Sequence, residues 1–122
     1  MSALKMGRVQ LQIMRVLWDR KRANARDITD DLNKQKPIAH STVQTLLRKL
    51  EGKGAVAHDV EDRTFIFRPL VNEENVTEYA YREFVDRIFS GSAKGLVAYL
   101  VKNEEISVRE LKEIRELIDK KS

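Results

Sequence analysis

One stretch, residues 39–56 (AHSTVQTLLRKLEGKGAV), constrains the fold more than any other part of this chain. Apolar side chains recur there at helical spacing, at Val43, Leu46, Leu47 and Leu50. Ser41 is a preferred N-cap residue, and Gly54 stands where a helix would stop. The stretch therefore predicts an amphipathic helix that begins after Ser41 and ends before Gly54.

The polar face of this helix carries donors, acceptors and methyl groups but no carboxylate, at Thr42, Gln44, Thr45, Arg48 and Lys49. A glutamine pairs bidentately with adenine, an arginine pairs with guanine, and a threonine methyl contacts thymine. The face therefore suits the edges of base pairs in a groove of DNA. It is also typical of an ordinary amphipathic surface helix, and only the context distinguishes the two.

Composition limits the classes of protein. The 122 residues suffice for one core, or for a small domain with an appended element. The sequence contains no cysteine, which excludes disulfides, cysteine zinc sites and iron–sulfur clusters. The first residues lack the apolar region of a signal peptide, and no apolar run approaches the ~20 residues that cross a bilayer. We therefore expect a cytoplasmic protein without membrane insertion.

The charge is distributed unevenly along the chain. Residues 1–69 carry 14 Lys and Arg against 8 Asp and Glu, whereas residues 70–122 carry 9 against 11. A basic first half joined to a mildly acidic second half is typical of a domain that binds a polyanion and a separate region for assembly.

Two helices are predicted before the amphipathic one. Residues 8–19 form a strongly apolar helix, and Trp18 on its apolar side is interpreted as a core anchor rather than a base-stacking platform. Asn24 caps a second helix, ARDITDDL, whose outer aspartates would repel phosphate. Pro37 prevents this helix from continuing, so the second and third helices form a helix-turn-helix.

A β-hairpin follows, because residues 64–67 are β-branched or aromatic and residues 56–59 alternate before a polar turn. A helix-turn-helix followed by a hairpin is a winged helix, and the hairpin tip Val60–Arg63 is the wing. Arg63 could contact a phosphate or the minor groove of DNA. Alternatively, it is a surface residue whose positive charge is balanced by Glu61 and Asp62. The sequence leaves both alternatives open.

The last third is predicted to be helical. Asn72 caps one helix, residues 89–95 break it, residues 96–101 form a short apolar segment, and Ser107 opens a final helix through a capping box with Glu110. These helices carry more apolar surface than they can bury against each other. The simplest partner that would cover this surface is a second copy of the chain. We predict a mainly α fold with a small β-hairpin: a winged helix-turn-helix DNA-binding domain over residues 1–70 and a helical dimerisation region over 71–122.

Four segments resemble a known family: IMRVLWD (13–19), STVQTLLRKLEGKGAV (41–56), DRTFIFRPLV (62–71) and GSAKGLVAYLVKNEEIS (91–107). They are similar to the winged-helix repressors of penicillinase (β-lactamase) and methicillin-resistance genes and to the copper-responsive relatives of these proteins. The resemblance implies a homodimer, joined through its C-terminal helices, that binds a double-stranded operator with TACA/TGTA inverted repeats and blocks transcription.

The resemblance also implies which side chains contact DNA. The positions that face the major groove are Ser41, Thr42, Gln44, Thr45 and Arg48. For the DNA backbone and the wing we expect contacts from His40, Lys49, Lys53 and Arg63. For both His40 and His58, the role of an ordinary, partly exposed histidine is favoured over a functional one.

In the antibiotic-responsive members of the family, a membrane-bound metalloprotease sensor is the partner that relieves repression. It cleaves between an Asn and a Phe, and the corresponding positions here are Tyr99 and Leu100. The copper-responsive members carry a cysteine-rich C-terminal motif, which this chain lacks. The sequence therefore leaves the signal for derepression open.

Two other functions are compatible with a winged helix. It can be a protein-interaction module, although such a module would place aromatic or aliphatic anchors on the exposed face of the third helix. An enzyme is disfavoured, because two histidines without cysteine or a glycine-rich phosphate loop supply neither a catalytic set nor a three-ligand metal site. We expect no cofactor and no metal.

Overall fold

The computed structural model describes residues 2–121. Its elements follow in the order α1 (Arg8–Arg20), β1 (Ala23–Asn24), α2 (Ala25–Asn33), α3 (His40–Gly52), β2 (Val56–Glu61), β3 (Thr64–Pro69), α4 (Glu73–Ile88), α5 (Ala93–Lys102) and α6 (Val108–Lys121). The chain divides into two compact units, the first extending to Tyr81 and the second beginning at Arg82.

The core of the first unit lies between the first three helices and the sheet. Its buried side chains include Ile13, Met14, Leu17, Ile28, Val43, Leu47, Leu50, Val56 and Phe67. Trp18 packs against this cluster, and its Nε1 donates a hydrogen bond to the carbonyl of Val71 at 2.9 Å. The prediction that Trp18 is a core anchor is confirmed, because the indole covers the core and its only donor is satisfied.

The start of α3 differs from the prediction. The N-cap is Ala39, with extended backbone and no side-chain cap, so the assignment of Ser41 as N-cap was wrong. Asn33 explains the earlier start, because its side chain hydrogen-bonds both the N–H and the carbonyl of Ile38, each at 3.0 Å. These bonds between residues five apart fix the chain just before the helix, so helical geometry begins before Ser41.

The end of α3 agrees with the prediction. The helix ends at Gly52, and Gly54 has φ +83°, a left-handed conformation that favours glycine. The N–H of Gly54 donates to the carbonyl of Glu51 at 3.0 Å, and the N–H of Ala55 donates to that of Leu50 at 2.9 Å. This closing turn directs the chain into β2.

Two glycines in this turn should respond oppositely to alanine. Gly54→Ala should lower the free energy of unfolding by about 1–2 kcal/mol, because a Cβ is strained at φ +83°. Gly52→Ala should raise it by up to ~1 kcal/mol, because Gly52 is helical and a Cβ there would meet no atom from elsewhere in residues 2–121 within 4 Å. Urea unfolding of both variants checks this, and a shift of the same sign for both would contradict the assignment.

The sheet has three strands rather than the two of the predicted hairpin, in the order β1-β3-β2. β2 and β3 pair antiparallel from Val56 opposite Pro69 to Glu61 opposite Thr64, joined by a two-residue turn with positive φ. β1 is the strand that the sequence analysis missed, and its Ala23 pairs with Phe67. Two residues are too few to show an alternating pattern in the sequence. β1 is a strand only because it forms hydrogen bonds with β3.

The second unit contains the end of α4 together with α5 and α6. Ser90 and Gly91 have positive φ, and the Ser92 hydroxyl then accepts a hydrogen bond from the N–H of Gly95 at 2.9 Å. α5 therefore begins at Ala93, inside the predicted link, and is longer than the predicted apolar segment. The capping box of α6 is confirmed, with bonds of 3.0 and 3.1 Å between Ser107 and Glu110.

Apolar side chains of this second unit remain exposed. Val85 is buried and the ring of Phe89 contacts those of Phe84 and Tyr99 at centroid distances of 5.7 and 6.0 Å. In contrast, Val108 is 72% and Leu117 is 67% exposed. The excess of apolar surface that the sequence predicted for this region is thus present in the single chain.

Candidate nucleic-acid interface

The exposed face of α3 is the centre of the candidate interface. The side chains predicted to face the major groove are all exposed: Ser41, Thr42, Gln44, Thr45 and Arg48. Behind them, Val43, Leu47 and Leu50 are completely buried. This anchoring makes α3 a rigid support, which places its polar side chains at the fixed spacing of a helix.

A groove of about 500 Å³ separates α3 from the wing, and we call it the wing groove. It is lined by Asn24, Ala25, Arg26, His40, Gln44, Leu47, Arg48, Arg63, Thr64, Phe65 and Phe67. Two predicted major-groove residues thus lie beside one predicted wing contact. Three arginines and no carboxylate line the groove, so it attracts anions.

Arg63 lies in the turn at the tip of the wing. Glu61, one of the two carboxylates that could have balanced it, forms an ion pair with Arg22 instead. Within residues 2–121, Arg63 has no ion-pair partner. Of the two alternatives that the sequence left open, the geometry therefore favours a side chain available to an external anion.

A second groove lies along α3, beside the N-terminal segment, and we call it the N-terminal groove. It is lined by Ser2, Lys5, Met6, Gly7, Gln10, Lys49, Gly52 and Lys53. The ammonium of Lys53 donates to the carbonyl of Lys5 and to Oε1 of Gln10, the latter at 3.1 Å. Burial, and then the positive charge of Lys5, lower the pKa of Lys53 below its ordinary value.

The two histidines occupy different environments. His40, the first residue of α3, lies with Nδ1 3.2 Å from the Thr29 hydroxyl and also lines the wing groove. That hydroxyl also donates to the Ala25 carbonyl at 2.8 Å, so Thr29 links the start of α2 to the start of α3. His58 instead pairs with Glu51 at 2.7 Å and stacks on Phe65 with ring centroids 3.9 Å apart, joining the wing to the end of α3.

The sequence analysis missed two basic residues beside α3, Arg26 and Lys5. Arg26 was passed over because the aspartates of α2 argued against contact with DNA. In the structure, Asp31 forms ion pairs with Arg20 at 2.8 Å and Lys34 at 3.5 Å, and the hydrogen bond from Arg20 holds the pKa of Asp31 below its usual range. Arg26 lies in the first turn of α2 and lines the wing groove, whereas Asp31 does not. The position of Arg26 two residues after the cap Asn24, in the first turn of α2, was the available signal.

Tyr99 and Leu100 both lie within α5, in the second unit. Tyr99 is 55% exposed and Leu100 is half-buried. Within residues 2–121, no group of three or more His, Cys, Asp or Glu side chains is arranged to hold a metal ion. In the same part of the chain, each helix is too short or too polar to span a membrane.

Known proteins are similar to this chain in sequence over most of its length. The Penicillinase repressor of Bacillus licheniformis is 27% identical over 110 residues, which cover 90% of this chain and 86% of that protein. The methicillin resistance regulatory protein MecI of Staphylococcus aureus (strain N315) is also 27% identical, over 90% of this chain and 89% of that protein.

Two solved structures are similar to part of the chain. The solution structure of the DNA-binding domain of the repressor BlaI aligns with a TM-score of 0.55 at 29% identity, covering 62% of this chain and 93% of that domain. Monomeric B. licheniformis BlaI in complex with the blaP half-operator aligns with a TM-score of 0.51 at 30% identity, covering 58% and 87%. The family model described as "Penicillinase repressor" matches residues 6–120, so the chain belongs to the penicillinase repressor family.

Proposed function

We propose that this chain is a transcriptional repressor that binds operator DNA, with α3 in the major groove and the wing beside it. The observation that carries the proposal is the exposed, carboxylate-free face of α3, continuous with a groove lined by three arginines. The relatives support it, because they are repressors and one of them was solved on a half-operator.

The proposed contacts with DNA are of two kinds. Gln44 and Arg48 read base edges, with Ser41, Thr42 and Thr45 beside them on the same face. Phosphate contacts from His40, Lys49, Lys53 and Arg63 supply most of the affinity, and its dependence on salt, without reading the sequence.

The second unit is proposed to join two chains into a homodimer. Its exposed apolar side chains support this, since Val108, Leu117 and Ile88 are each more than half exposed. A two-fold symmetric dimer presents two copies of α3, which matches an inverted repeat with half-sites about one or two helical turns apart.

A membrane-bound sensor protease is the partner that the family resemblance suggests for derepression. Its target would lie in α5, at Tyr99 and Leu100. A cut there would separate α6, with its exposed Leu117, from the rest of the chain. Loss of that apolar surface would weaken the dimer, and with it the simultaneous contact of both half-sites.

A fluorescence-anisotropy titration tests the function. The protein is titrated into a labelled duplex with a TACA/TGTA inverted repeat and into a scrambled duplex, over a range of salt concentrations. We expect the repeat to bind at least ~1,000-fold more tightly, with two chains per duplex. Equal and salt-labile binding to both duplexes would contradict the proposal and leave a basic winged helix whose partner is some other sequence or a protein.

A further inference from the structure

Basic side chains line the two grooves that border α3. Gln44 and Arg48 are four residues apart and line the wing groove, whereas Lys49 and Lys53 line the N-terminal groove. Residues four apart share one face of a helix, and the two pairs are offset by five residues, which is about 140° around the helix axis. The two grooves share no lining residue, so they border α3 on different sides.

The positive charges that line the two grooves are not balanced by the protein. Their basic side chains are Lys5, Arg26, Arg48, Lys49, Lys53 and Arg63. None of the six has a carboxylate partner within residues 2–121, although Arg20, Arg22, Lys34 and Arg68 elsewhere in the first unit form ion pairs. Neither groove is lined by Asp or Glu. The lowered pKa of Lys53 has the neighbouring charge of Lys5 as one of its causes, as expected where like charges meet without a counterion.

The dimensions of DNA indicate what would lie against these flanks. A helix with its side chains is ~10–12 Å wide, and the major groove of B-DNA is ~12 Å wide. A helix in the groove therefore has a phosphate backbone close to each of its sides. Groups on the segments that flank α3 meet phosphates, whereas groups on the central, exposed face of α3 itself meet bases.

We propose that Arg26 and Lys5 bind the phosphodiester backbones on the two sides of the major groove that α3 occupies. Arg26 acts from the first turn of α2, where the helix N-terminus also favours an anion, and Lys5 acts from the segment before α1. This inference rests on the proposed function and adds two contacts to it. The start of α2 and the N-terminal segment would thus contact the two backbones on either side of α3.

The test compares the salt dependence of binding for Arg26→Gln, Lys5→Gln and the double variant. Arg15→Gln is the matched control, because Arg15 is an exposed basic residue of the first unit that lines neither groove. All of these side chains are exposed, and Lys5→Gln retains the backbone carbonyl that accepts the bond from Lys53. The variants are therefore expected to fold, which thermal unfolding verifies.

The measurement is the slope of log K against log salt for the operator duplex and for the scrambled duplex. Each substitution removes one proposed phosphate contact from each of the two chains on the duplex, so it should lower the magnitude of the slope by about 1.8. The double variant should lower it by about twice that, and the control should leave it unchanged. The ratio of the affinities for the two duplexes should stay at the wild-type value in every variant, because phosphates carry no sequence information.

The outcomes separate the two proposals. A wild-type protein that does not prefer the operator would overturn the proposed function together with this inference. A wild-type protein that prefers the operator, with unchanged slopes in either single variant, would overturn the two-sided contact alone. A fall in the affinity ratio would also overturn it, because that result would place the side chain on a base.

Discussion

Arg48→Ala and Gln44→Ala should each reduce the preference for operator over scrambled DNA by about 10- to 100-fold. A well-made bidentate contact to a base is worth ~1–3 kcal/mol of discrimination, and each factor of ten corresponds to ~1.4 kcal/mol. Both side chains are exposed on α3 and line the wing groove, so their loss removes no core packing. Anisotropy titrations against both duplexes at one salt concentration measure the effect.

Lys49→Ala is the control for this prediction. Lys49 is exposed on the same helix and lines the N-terminal groove, where a phosphate contact is proposed. Its loss should weaken binding to both duplexes by a similar factor and preserve their ratio. If Arg48→Ala or Gln44→Ala behaved in the same way as Lys49→Ala, with equal losses on operator and scrambled DNA, their assignment to base edges would be wrong.

Leu50→Ala should lower the free energy of unfolding of the first unit by about 2–5 kcal/mol. Leu50 is completely buried in the core that anchors α3, and its truncation removes transfer free energy and leaves a cavity. Small domains have only ~5–15 kcal/mol of stability, so the loss is a large fraction of the total. Urea unfolding followed by fluorescence reports on this unit, because Trp18 is the only tryptophan and packs against the same core.

The matched control is Leu70→Ala, in which the same change is made at a side chain that is 51% exposed. Its cost should stay below ~1 kcal/mol, and the hydrogen bond from the Leu70 N–H to Ala55 is retained because it involves only the backbone. Similar unfolding midpoints for the two variants would contradict the placement of Leu50 in the core.

In the proposed interface, the residues that give sequence specificity and the residues that give affinity lie in different places. The central face of α3 presents Gln44 and Arg48 to the bases, and the flanks present Lys5 and Arg26 to the backbones. A substitution on a flank is therefore expected to change the salt dependence, whereas one on the central face is expected to change the choice of sequence. The two classes of variant test different parts of one interface.

Much of the first unit follows from local sequence signals. The helical spacing of Val43, Leu47 and Leu50 predicted the buried face of α3, and the same periodicity placed Arg48 on its exposed face. Gly54 predicted the end of the helix, because a left-handed conformation after a helix favours glycine. Signals of this kind act within a few residues, so they can be recognised without knowing the fold.

The features that depend on distant partners were decided only by the tertiary structure. β1 has two residues and exists because Ala23 pairs with Phe67. Arg26 and Lys5 come from different segments and flank α3 only because the first unit packs α2 and the N-terminal segment on its two sides. The sequence alone thus determined the helix that would read DNA, since its periodicity is local. Packing between distant segments decided which charges surround it, because no local pattern records which distant residues meet.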